Sequence, residues 1–197
     1  TVSYARQIVF SERQDALRAI DKISSIHKAV ETQRQSQIPD WAYRDVLFML
    51  IDYSIRAFEL LERELTEAEK SEVFNVFYRV GSQMNLNGLP VDYREWKKMR
   101  DEHLNANLAY TPLTQDLYKQ YRKHLGPIRY GVLKQAQVLV VPQRVSELLS
   151  LGKIHWLAPI ILIYKLSRLI NLEGLLRNSI LPKEYIKEIR NLDVITK

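Results

Sequence analysis

The stretch "DVLFMLIDYSIRAFELL", residues 45–61, decides the fold, because it carries apolar residues on nearly every side of a helix. A helix that is apolar all round is expected to be buried rather than to lie on the surface. Asp40 precedes the stretch and is a suitable N-cap residue. The sequence therefore predicts a central helix over residues 41–64.

The rest of the chain also has helical periodicity. Most segments repeat apolar residues every three or four positions, alternating runs are short, and there are only six glycines. We therefore predict an all-α protein, a single domain over residues 1–197 with about eight to ten helices. Besides the central helix, the predicted helices lie near 11–32, 66–84, 92–108, 113–124, 128–138, 143–150, 155–171 and 182–191.

Start signals mark many of these helices. Thr66 is followed three residues later by Glu69, and Ser11 by Gln14, and both pairs match the reciprocal capping box. Proline suits the first turn of a helix, where its missing N–H costs nothing. The prolines in such positions are Pro112, Pro127, Pro142 and Pro182.

Composition excludes several classes of protein. The chain of 197 residues contains no cysteine, which excludes disulfides, zinc–thiolate sites and a cysteine nucleophile. The net charge is +6, and residues 117–197 hold fourteen Lys and Arg against five Asp and Glu. This basic excess indicates either an ordinary solvated surface or an affinity for anionic lipid headgroups. No nucleic-acid motif is visible, so no nucleic-acid partner is expected.

The longest apolar stretch, "WLAPIILIY" at residues 156–164, is too short to span a bilayer. It predicts a buried helix or, alternatively, an interfacial helix with Lys153, Lys165 and Arg168 near headgroups. The chain starts at Thr1 with neither an initiator methionine nor a signal peptide. We expect an upstream segment to precede it, and a cytoplasmic or peripheral membrane location.

His27 is the leading candidate for chemistry among the four histidines. At 100° per residue it shares one helical face with Ile20, Ile23 and Val30, so it lies within an apolar stripe. No two histidines have the spacing of helical metal ligands, and His103 and His124 lie among charged residues where we expect solvent exposure. His27 is then either a core histidine or a single axial haem ligand, because one histidine is enough to hold haem iron.

Asp52 and Tyr53 are the polar residues in the middle of the central helix, and they are the weaker candidates for a catalytic role. A buried carboxylate is costly unless it is paired. Asp52 is therefore either an ion-pair partner of an arginine such as Arg56 or Arg79, or a polar group that lines a pocket.

The order of several segments resembles the rubber oxygenase family, which includes latex-clearing and mycophenolic-acid-pathway oxygenases. The similar segments are "TVSYARQIVF", "ALRAIDKISSIHKAV", "DVLFMLIDYSIRAFELL", "LTEAEKSEVFNVFYRVGSQMNLNGLP" and "YREWKKMRDEH", and the similarity extends from Thr1 to about Pro159. Family members typically carry a threonine at a fixed interval before "I-H-x-x-V", and here Thr1 stands 26 residues before His27 in "IHKAV".

The resemblance implies a globin-like helical core that holds haem b. His27 would be the proximal ligand of the haem iron, and Thr1 would lie on the wall of the haem pocket. The aliphatic residues Ile23 and Val30, which share the His27 face, suit contact with the apolar macrocycle. The implied activity is O₂-dependent oxidative cleavage of a double bond in an apolar, isoprenoid-like substrate. "RVG" at residues 79–81 and the Leu89-Pro90 turn would be structural landmarks.

The chain departs from the family pattern in two places. The basic residues expected before Thr1 lie outside the sequence, and the histidine that many relatives carry in the helix of residues 45–54 is missing. Two other interpretations therefore stay open. One is a non-enzymatic haem or lipid carrier, and the other is a membrane-surface or interaction protein without the cofactor.

Overall fold

The computed structural model of the chain describes residues 7–152 and 155–169. Within these residues every regular element is helical, which confirms the all-α prediction. Residues 7–10 are helical. The longer elements are α1 (Arg13–Arg34), α2 (Asp40–Leu61), α3 (Glu67–Gln83), α4 (Tyr93–Ala106), α5 (Pro112–Val140), α6 (Gln143–Leu148) and α7 (Ala158–Leu169). The predicted helix at 182–191, with Pro182, lies outside the described residues.

The chain divides into two compact units. The first comprises Thr1–Leu47, Val76–Leu89 and Ser167–Lys197, and the second comprises Phe48–Asn75 and Pro90–Leu166. Helix α2 therefore contributes its first third to one unit and the remainder to the other. The interpretation of residues 1–197 as a single domain stays a prediction.

In the first unit, α1 packs through Ala19 and Ile20, which are buried, and α2 contributes the buried Leu47. Gly81 on α3 allows close packing, because an added Cβ would lie 2.7 Å from Cδ2 of Leu47 and 3.1 Å from Cδ1 of Leu89. Gly81 of the "RVG" landmark thus has a structural role in this packing.

The core of the second unit is aromatic and aliphatic. Phe48 and Trp96 meet edge to face with ring centroids 6.4 Å apart, and Tyr93 stacks on Trp96 at 5.2 Å. Such pairs stabilise a core beyond the area that they bury. The other buried apolar residues of this unit are Ile51, Ile55, Phe74, Leu104 and Leu151.

Two of the predicted helix starts are confirmed by capping hydrogen bonds. The Thr66 hydroxyl accepts from the Glu69 amide at 3.3 Å, and the Glu69 carboxylate accepts from the Thr66 amide at 2.9 Å. Asp92 caps α4 by accepting from the Glu95 amide at 2.8 Å. Pro112 occupies the first turn of α5, whereas Pro142 is the N-cap residue of α6 and not, as the sequence predicts, part of its first turn.

Two predicted starts are wrong. Helix α1 follows Glu12, which has no side-chain cap bond, so Ser11 and Gln14 do not form the predicted capping box. Asp40 is the first residue of α2 rather than its N-cap, and its carboxylate accepts instead from the Asn87 side-chain amide at 2.7 Å. Both helices begin at a different residue from the one that the capping pattern predicted, so the predicted capping hydrogen bonds do not form.

The predicted burial of α2 is also only partly correct. Leu47, Phe48, Ile51 and Ile55 form one buried face, but Leu50 is 45% exposed and Val46 is 52% exposed. The helix therefore presents an apolar stripe to the surface as well as one to the core. Apolar residues on a helical surface are common, and sequence alone does not separate the two faces.

The predicted pair of helices at 113–124 and 128–138 corresponds to α5, which is interrupted at Gly126. This glycine has φ 72° and ψ 172°, a conformation that is essentially restricted to glycine. Pro127 follows it and starts the second half of the helix. The two predicted segments are thus confirmed, with a kink rather than a loop between them.

Candidate functional site

His27 lies on α1 in the first unit, on the face that the sequence predicted. Its side chain is half-buried, as are those of Ile23 and Val30 one turn before and after it. Thr1, the other residue that the resemblance assigned to this pocket, lies outside the described residues. The structure thus brings three of the four predicted pocket residues onto one stripe of one helix.

Tyr43 on α2 contacts the His27 ring. The two ring centroids are 5.3 Å apart and the ring planes are inclined by 59°. The Tyr43 hydroxyl donates to Oε1 of Glu31 at 3.3 Å, and the same oxygen accepts from the Ile38 amide at 2.8 Å. Burial, together with the neighbouring Glu31 carboxylate, raises the pKa of Tyr43, so its hydroxyl stays protonated and remains a donor.

The Nδ1 atom of His27 is buried and has no hydrogen-bond partner among the residues that the structure describes. A buried ring nitrogen without a partner costs free energy, so such an atom calls for an explanation. Imidazole nitrogen is a common ligand of haem iron, and the half-buried aliphatic neighbours Ile23 and Val30 suit an apolar macrocycle. By this test the residues around His27 fit an axial haem ligand.

Asp52 lies in the second unit and is engaged in ion pairs. Its carboxylate accepts from Nε of Arg56 at 2.5 Å and from Nε of Arg100 at 3.2 Å. Asp52 is 6% exposed and Arg100 is 5% exposed. The predicted pairing with Arg56 is confirmed, and Arg100 is an additional partner that the sequence analysis missed. Tyr53, the neighbouring candidate, is half-buried.

One family model matches the chain, over residues 1–168, and its description is "ER-bound oxygenase mpaB/B'/Rubber oxygenase, catalytic domain". The chain belongs to this family. The match contains His27, Asp52 and the "RVG" landmark, and it extends slightly beyond the segment from Thr1 to Pro159 that carried the resemblance. No curated protein and no solved structure matches the chain at a significant level.

The surface cavity on α4 differs in character from the apolar stripe around His27. This shallow cavity of 660 Å³ is bordered mainly by residues with charged or polar side chains. It lies in the second unit, whereas His27 lies in the first. The lining residues include Arg94, Lys97, Lys98, Asp101, Glu102 and Asn105.

The three other histidines of the chain differ from one another in exposure. His124 and His155 are exposed, as expected for the former. His103 is half-buried, with Nδ1 3.1 Å from the side-chain amide nitrogen of Asn107, so its predicted solvent exposure is wrong. Throughout residues 7–152 and 155–169, no three His, Asp or Glu side chains form a group that could hold a metal ion directly.

Sequence reasoning missed Tyr43, Glu31 and Arg100 for different reasons. Glu31 stands four residues after His27, so helical spacing alone could have placed it one turn away on the same side. Tyr43 and Arg100 reach their partners from other helices. No local pattern in the sequence marks such contacts.

Proposed function

We propose that the chain binds haem b through His27 and catalyses O₂-dependent cleavage of a carbon–carbon double bond in an apolar, isoprenoid-like substrate. The observation that carries this proposal is the buried, unpartnered Nδ1 of His27 within the segment that matches the oxygenase family. The His27 ring makes no hydrogen bond within the described part of the chain, so its nitrogens are not engaged by another protein group there. Family membership supports the oxygenase class, and the histidine supports the choice of cofactor.

The residues of the chain have distinct roles in this proposal. His27 would ligate the haem iron, while Ile23 and Val30 would exclude water on the same face of α1. Thr1, which lies outside the described residues, would contribute to the pocket wall as the family resemblance implies. When bound, haem b would supply the activation of O₂, and the protein would supply the ligand, the dry surroundings and the access path.

The proposed reaction balances without an external reductant. One O₂ molecule supplies both oxygen atoms, the carbon–carbon double bond breaks, and each carbon becomes a carbonyl. An apolar substrate agrees with the aliphatic side chains beside His27, where a charged substrate would lose its hydration without gaining a partner.

Haem binding is tested by titrating the purified chain with hemin and recording the Soret band. We expect the wild-type protein and His27→Leu to differ, with the variant losing the band of histidine-ligated haem. His124→Leu is the matched control, because His124 is exposed on α5. Equal spectra for wild type and His27→Leu would contradict the proposal.

Turnover is tested separately, by incubating the haem-loaded protein with polyisoprenoid or unsaturated lipid under ¹⁸O₂. We expect aldehyde or ketone products that carry ¹⁸O on both new carbonyls. Haem with both axial positions filled by protein, together with no O₂ consumption, would instead indicate a non-enzymatic haem or lipid carrier.

Peripheral membrane association is a second proposal, and the exposed apolar surface of α7 favours it. Leu162 is 59% exposed, Ile163 56% and Leu166 53%, and Trp156 just before the helix is 46% exposed. None of the helices in the described ranges has the length and apolar character needed to cross a membrane. An interfacial helix with a basic surrounding sequence is therefore the proposed mode of contact. Lys165 is half-buried, Lys153 lies outside the described residues, and so does the side chain of Arg168.

Vesicle cosedimentation tests the membrane proposal. We expect wild-type protein to sediment with vesicles that contain phosphatidylserine and to be released by salt, because basic residues near anionic lipid are screened. Leu162→Glu should abolish binding, whereas Val91→Glu, at a site that is 82% exposed on the α3–α4 connection, should not. Binding that is the same for wild type and Leu162→Glu would contradict this role of α7.

A further inference from the structure

The His27 ring is oriented by an aromatic contact rather than by a described hydrogen bond. Histidine ligands of metals usually donate their second ring N–H to a carboxylate, a carbonyl or a water, which fixes the orientation of the ring. In this chain Nδ1 makes no hydrogen bond within the described residues, and the Tyr43 ring lies 5.3 Å away instead.

Tyr43 is itself held in place by Glu31. Oε1 of Glu31 accepts from both the Tyr43 hydroxyl and the Ile38 amide, so it links α1 to the connection that precedes α2 and to α2 itself. Glu31 stands one turn after His27 on α1. The Tyr43 side chain therefore contacts two successive turns of α1, through its ring at His27 and through its hydroxyl at Glu31.

We propose that Tyr43 is a positioning residue that holds the His27 ring in one orientation for axial ligation. The inference rests on the proposed haem site, and it adds a residue that acts through His27. A ring fixed before binding loses less conformational freedom when it ligates the iron. Glu31 supports this role, because its hydrogen bond restricts Tyr43 to the rotamer in which the two rings meet.

The test compares three variants with the wild type in hemin titrations. Tyr43→Leu removes the ring, Tyr43→Phe keeps the ring but removes the hydrogen bond to Glu31, and Tyr130→Leu is the control. Tyr130 is also half-buried, and its described ring contact is with Tyr118 on its own helix, α5. We expect hemin affinity to fall about tenfold in Tyr43→Leu, the lower end of the range for lost outer-shell support. Tyr43→Phe should lose less, and Tyr130→Leu should match the wild type.

A spectroscopic readout separates positioning from general destabilisation. The iron–histidine stretching band of the ferrous protein in resonance Raman spectra depends on the orientation of the imidazole. We expect this band to shift or broaden in Tyr43→Leu and to be unchanged in Tyr130→Leu. A wild-type band and wild-type affinity in a folded Tyr43→Leu protein would overturn the proposal.

A measurement without hemin distinguishes failure of the positioning role from failure of the haem proposal. In NMR spectra of the hemin-free protein, His27 and Tyr43 ring protons should show mutual NOEs, and Tyr43→Leu should give averaged His27 ring signals. Wild-type protein that shows these signals but binds no hemin would refute the haem site while leaving the ring restraint established. Ring signals of His27 that are unchanged in Tyr43→Leu would refute the restraint itself.

Discussion

Asp52 and Arg100, 48 positions apart in the sequence, form a buried ion pair in which Nε of Arg100 donates to the carboxylate at 3.2 Å. Arg56 donates to the other carboxylate oxygen at 2.5 Å, so the buried Asp52 carboxylate accepts hydrogen bonds from two guanidinium groups. The pair joins α2 to α4 within the second unit. Removal of Arg100 leaves the buried carboxylate paired with Arg56, whose side chain is 42% exposed, so the buried one of its two compensating charges is lost.

Arg100→Ala is therefore expected to destabilise the protein by about 3 kcal/mol, at the lower end of the range for a broken buried pair. The measurement is the free energy of unfolding from urea denaturation. Arg94→Ala, an exposed arginine on the same helix, should change that free energy by less than about 0.5 kcal/mol. Equal effects of the two substitutions would show that the buried pair contributes no stability.

Gly81→Ala and Gly131→Ala are expected to change stability in opposite directions. At Gly81 a Cβ would lie 2.7 Å from the buried Leu47, and overpacking of this kind costs about 1–3 kcal/mol. At Gly131 a Cβ meets nothing within 4 Å, and alanine is favoured in a helix by about 0.5–1 kcal/mol. Chemical denaturation of both variants provides the check, and stabilisation by Gly81→Ala would contradict the close packing of α3 on α2.

Gly126→Ala is expected to destabilise the protein by about 1–3 kcal/mol, the usual cost of a residue forced into a conformation that only glycine adopts readily. Among the described residues, no atom beyond the adjacent chain lies within 4 Å of the added Cβ, so the expected loss of stability comes from backbone strain. The unfolding free energy gives the magnitude. An unchanged value would mean that α5 can straighten at the kink without cost.

Acid is expected to loosen the start of α3. Hydrogen bonds from Arg63 first, and then from Thr66, lower the pKa of Glu69 from 4.5 to about 2. Because the pKa is lowered in the folded state, the stabilising effect is complete above the unfolded value and is lost as the pH falls from 4.5 towards 2. Amide exchange in the first turn of α3 should accelerate over this interval. Glu69→Gln should remove that pH dependence, and persistence of the dependence in this variant would point to another carboxylate.

Hemin is expected to raise the thermal unfolding temperature of the wild type but not of His27→Leu. A ligand that binds only the folded state stabilises it, by about 2.7 kcal/mol at one hundred times its dissociation constant. Differential scanning calorimetry with increasing hemin provides the measurement. The same increase in both proteins would indicate binding that does not involve His27.

The features that sequence predicted are those that local chemistry determines. Thr66 and Glu69 lie three residues apart, as do Asp92 and Glu95. Both partners of each cap are therefore close in the sequence and can be recognised from it. Helical periodicity likewise placed Ile23, His27 and Val30 on one face. The Ser11 capping box failed because the same local pattern competes with the path by which the chain enters α1.

The remaining features depend on how distant segments meet. The second partner of Asp52 comes from α4, and the ring beside His27 comes from α2. The exposed stripe of α2, which includes Val46 and Leu50, is apolar like its buried stripe. Periodicity therefore identifies an apolar face but does not identify its partner.

The hydrogen bonds of the Glu31 carboxylate also restrict the length of the α1–α2 connection. This oxygen accepts both from Ile38 in the connection and from Tyr43 at the end of the first turn of α2. Surface connections usually tolerate insertions. Here one extra residue between Ile38 and Tyr43 would rotate the tyrosine by about 100° around α2 while Ile38 stayed bound. The number of residues between Ile38 and Tyr43 thus determines whether the Tyr43 ring meets the His27 ring.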